Sequence, residues 1–379
     1  MNFVFSLTIY RIYKRVLSPL YGKINKGKEQ YRKTRVVVVI KTKDEINKIV
    51  KEIQKKIDFS GVVLVKKEKD LIYEKAMGYA NKSECINNTI QTRFGIASGC
   101  KIFTAIGICQ LVEKGVISFH TKLKDCLEIK LPNFDEDITI HQLLTHSSGI
   151  PDYFDESIMD NFEDLWKQTP MYLLKSLKDF LPLFQNSNMM FAPGSKFHYN
   201  NAGFIILGLI IEEQTGLTFT EYIETNIFNS IGMNDSGYFS LDKLPRHTAL
   251  GYIKDETNQN WRTNAYSIPI KGGADGGAYV TAPDMLKFWA ALFNNEILGK
   301  EYTKLLLTPH IHVNDKQSYG YGIWIETREN KVFKYHVMGY DPGVSFRSAI
   351  YPELGITLVI PSNKGAGPEK LMTEIERAF

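Results

Sequence analysis

Apolar residues recur at helical spacing across residues 44–58, at Ile46, Ile49, Val50, Ile53 and Ile57, and predict an amphipathic helix leading into a folded body. Two strand-like runs follow, residues 61–67 and 71–79. They flank the charged stretch Glu68-Lys69-Asp70, which reads as a hairpin turn. Residues 103–114 form a strongly apolar helical run through Ile106, Ile108, Leu111 and Val112, closed by Gly115 in the place of a C-terminal cap. Further helices are predicted over residues 139–145, 162–184, 201–215, 219–227 and 282–294, punctuated by turn residues such as Ala192-Pro193-Gly194.

After Ser318 the pattern changes to four short β-rich runs, residues 319–327, 331–337, 344–351 and 356–360. Arg328-Glu329-Asn330, residues 339–343 and residues 352–355 separate them as turns, which predicts an antiparallel meander. Residues 364–379 read as a closing helix. Strands at both ends with helices between imply a mixed α/β (α+β) fold. One antiparallel sheet is built from about 59–80 and 319–361 and flanked by helices, with a mainly helical insertion over about 98–300. No internal repeat interrupts this plan.

Composition adds that the chain has the make-up of a globular protein, 44% hydrophobic and 23% charged over 379 residues. The net charge of +4 is unevenly spread. Residues 1–43 carry eleven Lys or Arg against the single acid Glu29, a charge of +10, which by difference leaves the other 336 residues at about −6. A nucleic-acid surface on the body at 44–379 is therefore not expected. Residues 1–43 read as a dispensable or disordered basic extension, with peripheral contact to anionic lipid as the alternative. Residues 1–10 are short, partly polar and followed by their charges, unlike a secretion leader. No run approaches the roughly 18 apolar residues of a membrane span, so a cytoplasmic location is expected. Cys85, Cys100, Cys109 and Cys126 contain no C-x-x-C pair, so redox chemistry is not indicated.

Candidate chemistry begins with Ser98-Gly99-Cys100-Lys101. On a first helical turn, positions i and i+3 share a face, so the lysine nitrogen can reach the serine oxygen, and the helix N-terminus favours developing negative charge. An uncharged lysine can then accept the serine proton. Ser240-Leu241-Asp242-Lys243 repeats the spacing but has no apolar helix running on from it. Tyr199-Asn200-Asn201 adds a phenol whose pKa a neighbouring lysine would pull down, suiting it to serve as base and later as acid. Asn201 adds an amide for the lysine's partner or the substrate carbonyl. A second Y-x-N, Tyr79-Ala80-Asn81, reads as a turn.

With these residues in place, the chain resembles the serine β-lactamase and penicillin-binding-protein-like superfamily, nearest its class C β-lactamase, D-alanyl-D-alanine carboxypeptidase and esterase branch. The resemblance runs from about residue 59 onward. It takes in residues 96–115, Leu143-Leu144-Thr145-His146-Ser147-Ser148-Gly149-Ile150, Phe191-Ala192-Pro193-Gly194, Leu207-Gly208, Gly232-Met233 and Gly276-Gly277-Ala278-Tyr279-Val280-Thr281-Ala282. It implies a serine hydrolase working through an acyl-enzyme on Ser98, without cofactor or metal, on small-molecule ester, peptide or β-lactam-like substrates. The superfamily's third element aligns with His336-Val337-Met338-Gly339. His336 would supply a polar or cationic group, and the Gly339 N–H would join that of Ser98 in an oxyanion hole. Here the chain departs from the pattern, because Met338 stands where the family has Gly and Val337 lacks a hydroxyl.

Three other features carry blander readings. His146 reads as a scaffold histidine, since no G-x-S-x-G accompanies it. His310-Ile311-His312 reads as a surface loop and not a metal site. The glycine-rich string of residues 271–277 lacks a P-loop's Lys-Ser/Thr and, by the resemblance, lies on the rim of the site. Small esters or D-amino-acid peptides are the expected substrates. A sensor that has kept the fold without catalysis is the alternative, and a true β-lactamase or carboxypeptidase the further one.

Overall fold

The computed structural model describes residues 43–254, 260–377 and 379. The basic segment through residue 42, and with it the expected lipid contact, lies outside the described residues. Among the described residues eight strands form one antiparallel sheet: β1 (Gly61–Lys67), β2 (Asp70–Met77), β3 (Ile311–Asn314), β4 (Gln317–Tyr319), β5 (Trp324–Arg328), β6 (Lys331–Asp341), β7 (Val344–Tyr351) and β8 (Ile356–Ser362), in the order β2-β1-β8-β7-β6-β5-β4-β3. The two ends of the chain meet where β1 pairs with β8, Gly61 opposite Ser362 and Leu64 opposite Val359.

Helices cover both faces, and strand alternation separates them. On β7, Ser348 takes the indole N–H of Trp289 from α5 (Ala282–Phe293), so this face looks toward the helical region. Arg347 and Tyr351 point the other way, toward Glu369 and Glu376 of α6 (Pro368–Glu376). Beside α6 lies α1 (Lys43–Gln54), which buries Ile46, Val50 and Ile53. In the helical region α2 (Lys101–Glu113) and the short α3 (Ile140–Leu144) pack on α4 (Asn201–Thr215), α2 so closely that a Cβ on Gly107 would come 2.9 Å from Ile211 Cδ1. Helices α2 and α4 are apolar around their circumference because both are core elements. Among the described residues no single helix is long and apolar enough to cross a membrane.

Several expectations shift. The predicted helix over 162–184 is three short 3-10 turns, Phe162–Lys167, Met171–Leu173 and Leu177–Leu183. Pro170 interrupts the backbone ladder and Ser176 restarts it with a capping box to Asp179, yet Trp166, Met171, Leu177 and Phe180 are buried as a helix would have buried them. The sheet begins earlier than 319, because β3 and β4 extend it; Ile311 and His312 are not in a loop but open a half-exposed edge strand, with His310 just before it. The closing helix is shorter than 364–379, and Tyr79–Asn81 is a short strand paired with Ile86–Asn87 instead of a turn. The most consequential shift is that β6 continues through Asp341, so the turn is only Pro342-Gly343 and Gly339 is a strand residue.

Phe103 of α2 is fully buried with its ring edge-on to Phe228 and Phe288, at 4.8 and 5.1 Å between centroids. Phe103→Ala is expected to lower unfolding free energy by about 3–5 kcal/mol, read from urea denaturation; a loss under about 1 kcal/mol would show that this cluster does not hold the helical region together.

Candidate active site

Ser98 lies in a 3-10 turn, Ala97–Cys100, that runs directly into α2. The residue before it, Ala97, has φ of +46°, a left-handed conformation that a side chain adopts only at a cost. Backbone bonds on either side hold the turn, Ile96 N–H to Ala278 O at 2.9 Å and Gly99 N–H to Ile96 O at 2.9 Å. The short strand pair Phe94–Gly95 with Tyr279–Val280 thereby sets the glycine string against the serine turn. Gly99 is required because a Cβ there would meet the Phe346 ring at 2.6 Å.

Lys101 is almost wholly buried, and its Nζ has three partners: Ser98 Oγ at 2.9 Å, Asn201 Oδ1 at 2.8 Å and the Asp275 carbonyl at 2.6 Å. Asn201 and Asp275 can only accept from it. The third position, on Ser98 Oγ, suits a donated N–H when the lysine is charged, or a lone pair that takes the serine proton when it is neutral.

Asn201 opens α4, and its neighbour Asn200 caps that helix by accepting the Gly203 N–H at 2.7 Å. Asp152 grips the same end: its carboxylate accepts the backbone N–H groups of Asn201 (2.7 Å) and Ala202 (2.9 Å) and the Asn201 side-chain amide (3.2 Å). Burial pushes the Asp152 carboxyl up to about 7 despite those donors. His146 is a scaffold residue; its Nδ1 accepts the Asn200 N–H at 3.0 Å, its Nε2 meets the Tyr319 hydroxyl at 3.2 Å, and its ring lies against that of Tyr199. Burial holds its pKa well below the ordinary value.

Tyr199 lies in the same cleft, but its electrostatics reverse the expectation. Burial, followed by the charge of Glu156, pushes the phenol well above its ordinary pKa, and a hydrogen bond with Ser98 only partly counters this. Lys101 Nζ sits over the ring face, 5.0 Å from the centroid, with its hydrogen bonds on Ser98, Asn201 and Asp275. Tyr199 is therefore a phenol that holds its proton.

The sheet supplies the opposite wall. Gly339 of β6 passes so close to the serine turn that a Cβ on it would lie 2.0 Å from Ile96 O and 2.9 Å from Ser98 N. A glycine inside a strand marks such a backbone approach. His336 is not brought to the cleft: it is buried, neither ring nitrogen has a hydrogen-bond partner among the described residues, and burial with Lys334 and Arg347 nearby drives its pKa well down. It supplies no cation. Met338 does line the cleft, as do Trp324 and Tyr340.

The cleft has a volume of about 1270 Å³, and Ser98, Tyr199, Asn201 and Gly339 all border it. Glu156 and Asp341 also face it, and neither carboxylate has a hydrogen bond or ion pair among the described residues. Burial, with Asp275 adding to it, pushes Asp341 up to about 7. Asp275 is itself raised by burial and takes the Tyr153 hydroxyl.

Sequence reasoning missed Asp152, Asp275 and Asp341. The first two lay beside or inside quoted stretches, two residues past Ile150 and within the glycine string; Asp341 was hidden by the misplaced turn. The second S-x-x-K is no site, since Ser240 bonds to Asp242 in its own loop. Among the described residues no cluster of three or more His, Cys, Asp and Glu could hold a metal ion.

A family model described as Beta-lactamase matches residues 46–378. Penicillin-binding protein 4* of Bacillus subtilis (strain 168) is 29% identical over 322 residues, 81% of this chain and 68% of that protein. The crystal structure of a penicillin binding protein from Bacillus halodurans is similar with a TM-score of 0.84 and 54% identity, covering 88% of this chain and 100% of that one. That of the octameric penicillin-binding protein homologue from Pyrococcus abyssi gives a TM-score of 0.77 at 27% identity, covering 88% and 76%.

Two outcomes are expected. Gly339→Ala must push β6 away from the serine turn, and hydrolytic kcat should fall by about 100-fold or more, measured on a chromogenic ester with circular dichroism confirming the fold. Asp341 has a folded pKa raised from 3.8 to about 7, so its ionisation opposes folding: the cost is absent below about pH 4, grows toward pH 7 and is complete above it. Asp341→Asn should therefore raise the thermal midpoint more at pH 8 than at pH 5; an equal gain at both would contradict the assignment.

Proposed function

The chain belongs to the beta-lactamase family, and so to the serine hydrolase superfamily built on this fold; on that premise we propose that it cleaves small esters and D-amino-acid amides or peptides through an acyl-enzyme on Ser98. The observation that carries this reading is the 2.9 Å contact between Lys101 Nζ and Ser98 Oγ at the edge of a cleft large enough for a substrate.

Ser98 Oγ attacks the carbonyl carbon as its proton passes to Lys101, whose remaining N–H groups stay on Asn201 and Asp275. The tetrahedral oxygen is held by the N–H groups of Ser98 and Gly339, whose backbones meet at this point. A phenol that keeps its proton is suited to be the acid for the leaving group, so Tyr199 donates as the carbonyl re-forms. Water then attacks the acyl carbon and gives its proton to the Tyr199 phenolate, while Lys101 returns its proton to Ser98 Oγ as that oxygen leaves.

The cleft is lined by both signs of charge, Lys82, Lys271, Arg347 and Lys364 among them. But Glu156 bears on Tyr199 and Asp341 on Asp275, and these two acids favour neutral esters and D-amino-acid amides over β-lactams, which carry a carboxylate. Asp341 and Glu156 both present unpaired acids to the cleft, His336 adds no positive charge, and Met338 narrows the wall. Intact-mass spectrometry after mixing with p-nitrophenyl acetate should show one acetyl adduct that disappears in Ser98→Ala. At pH 8, where Asp341 is ionised, the kcat/KM for that ester should exceed that for nitrocefin by about 100-fold or more, two carboxylate repulsions being worth about 3 kcal/mol together. Wild-type protein that neither acylates nor turns over would support the non-catalytic sensor instead; nitrocefin as the better substrate would support a β-lactamase.

A further inference from the structure

Asp152 takes no place in the chemistry just described, yet its contacts exceed what a helix end requires. Asn200 already caps α4 through its own side chain, and its Nδ2 ties that cap to Ile150 O at 2.9 Å. Asp152 adds a different kind of hold. One oxygen accepts both the backbone N–H and the side-chain amide of Asn201, while the other takes Ala202 N–H. A single acceptor gripping backbone and side chain of one residue leaves that side chain little rotational freedom.

The orientation of the Asn201 amide then follows from the groups around it. Its nitrogen end faces two acceptors, the Asp152 carboxylate and the Phe154 carbonyl, both at 3.2 Å. Its oxygen end is left to face Lys101 Nζ at 2.8 Å. Reversing the amide would set Nδ2 against the lysine and Oδ1 against a carboxylate and a carbonyl, so Asp152, with Phe154 O beside it, determines that an acceptor points at Lys101. Of the three partners of Nζ, the Asp275 carbonyl is fixed backbone and Ser98 Oγ is the reacting atom. Asn201 is the one whose direction a neighbour sets.

We infer that Asp152 is a positioning residue for hydrolysis: acting through the Asn201 amide, it holds Lys101 Nζ in line with Ser98 Oγ. This rests on the acyl-enzyme reading above. A carboxylate that only capped the helix would act through the backbone N–H groups of Asn201 and Ala202 alone, and any good capping residue would replace it.

The test compares p-nitrophenyl acetate kinetics and thermal midpoints for wild type, Ser98→Ala, Asp152→Asn, Asp152→Ser, Asn201→Ala and the Asp152→Asn/Asn201→Ala double variant. Asp152→Asn should lower kcat by about 10- to 100-fold with KM within about twofold, because a displaced base costs rate and not binding. In the Asn201→Ala background the same change should cost less than about twofold, since the route through the amide is already gone. Equal cost in both backgrounds, or a wild-type kcat in Asp152→Asn, overturns the proposal. Should Asp152→Asn not fold, Asp152→Ser decides: serine caps helices well but is too short to reach the amide. A wild-type midpoint with lost kcat supports positioning, and wild-type kcat overturns it. Ser98→Ala turning over at the wild-type rate would remove the acyl-enzyme reading and this inference together, whereas Ser98-dependent turnover with additive costs removes this inference alone.

Discussion

A lysine nitrogen taken out of water is the constraint around which the rest is arranged. A buried ammonium or amine is tolerated only with its hydrogen-bonding capacity met, and the three partners of Lys101 come from three separate parts of the chain: its own turn, the start of α4 and the glycine string. Each must arrive for the lysine to be satisfied, so the cleft cannot assemble in part. The neighbouring strain at Ala97 and the obligatory glycines at 99 and 339 follow from the same crowding, in which helix turn, loop and strand edge converge on one small volume.

This convergence also explains the electrostatics. Burial is the leading cause that raises the Tyr199 phenol and the carboxyls of Asp152, Asp275 and Asp341, and that holds His146 and His336 well below the ordinary imidazole pKa. At Tyr199 burial outweighs the nearness of the Lys101 amine. The protonation of the groups nearest Ser98 is thus set more by burial than by the motif's cation.

What could be read in advance divides along the range of the forces involved. Helices such as α4, with its cap, uninterrupted apolar run and terminating Gly216, are local objects and were legible to the residue. So was the S-x-x-K turn, because i and i+3 geometry needs no distant partner. The Phe162–Lys167 to Leu177–Leu183 region defeated periodicity, since proline broke the helix while tertiary burial kept the apolar spacing. The end of β6 was misread because glycine and proline were taken as a turn, when Gly339 is there for a contact with Ile96, more than two hundred residues away. Asp152 and Asp341 gave no local signal at all; their meaning depends on what lies across the cleft.

The pairing of β1 with β8 has a bearing on synthesis. These central strands lie roughly 300 residues apart in the chain. At ribosomal speeds of about 5–20 residues per second, the β1–β2 hairpin emerges and waits on the order of 15–60 seconds before its apolar flank finds a neighbour. Through that interval Val62, Val63 and Leu64, all deep in the finished core, have no native cover. The nascent chain must be shielded by chaperone or by transient burial, and a ribosome stalled before β8 would release an aggregation-prone open edge.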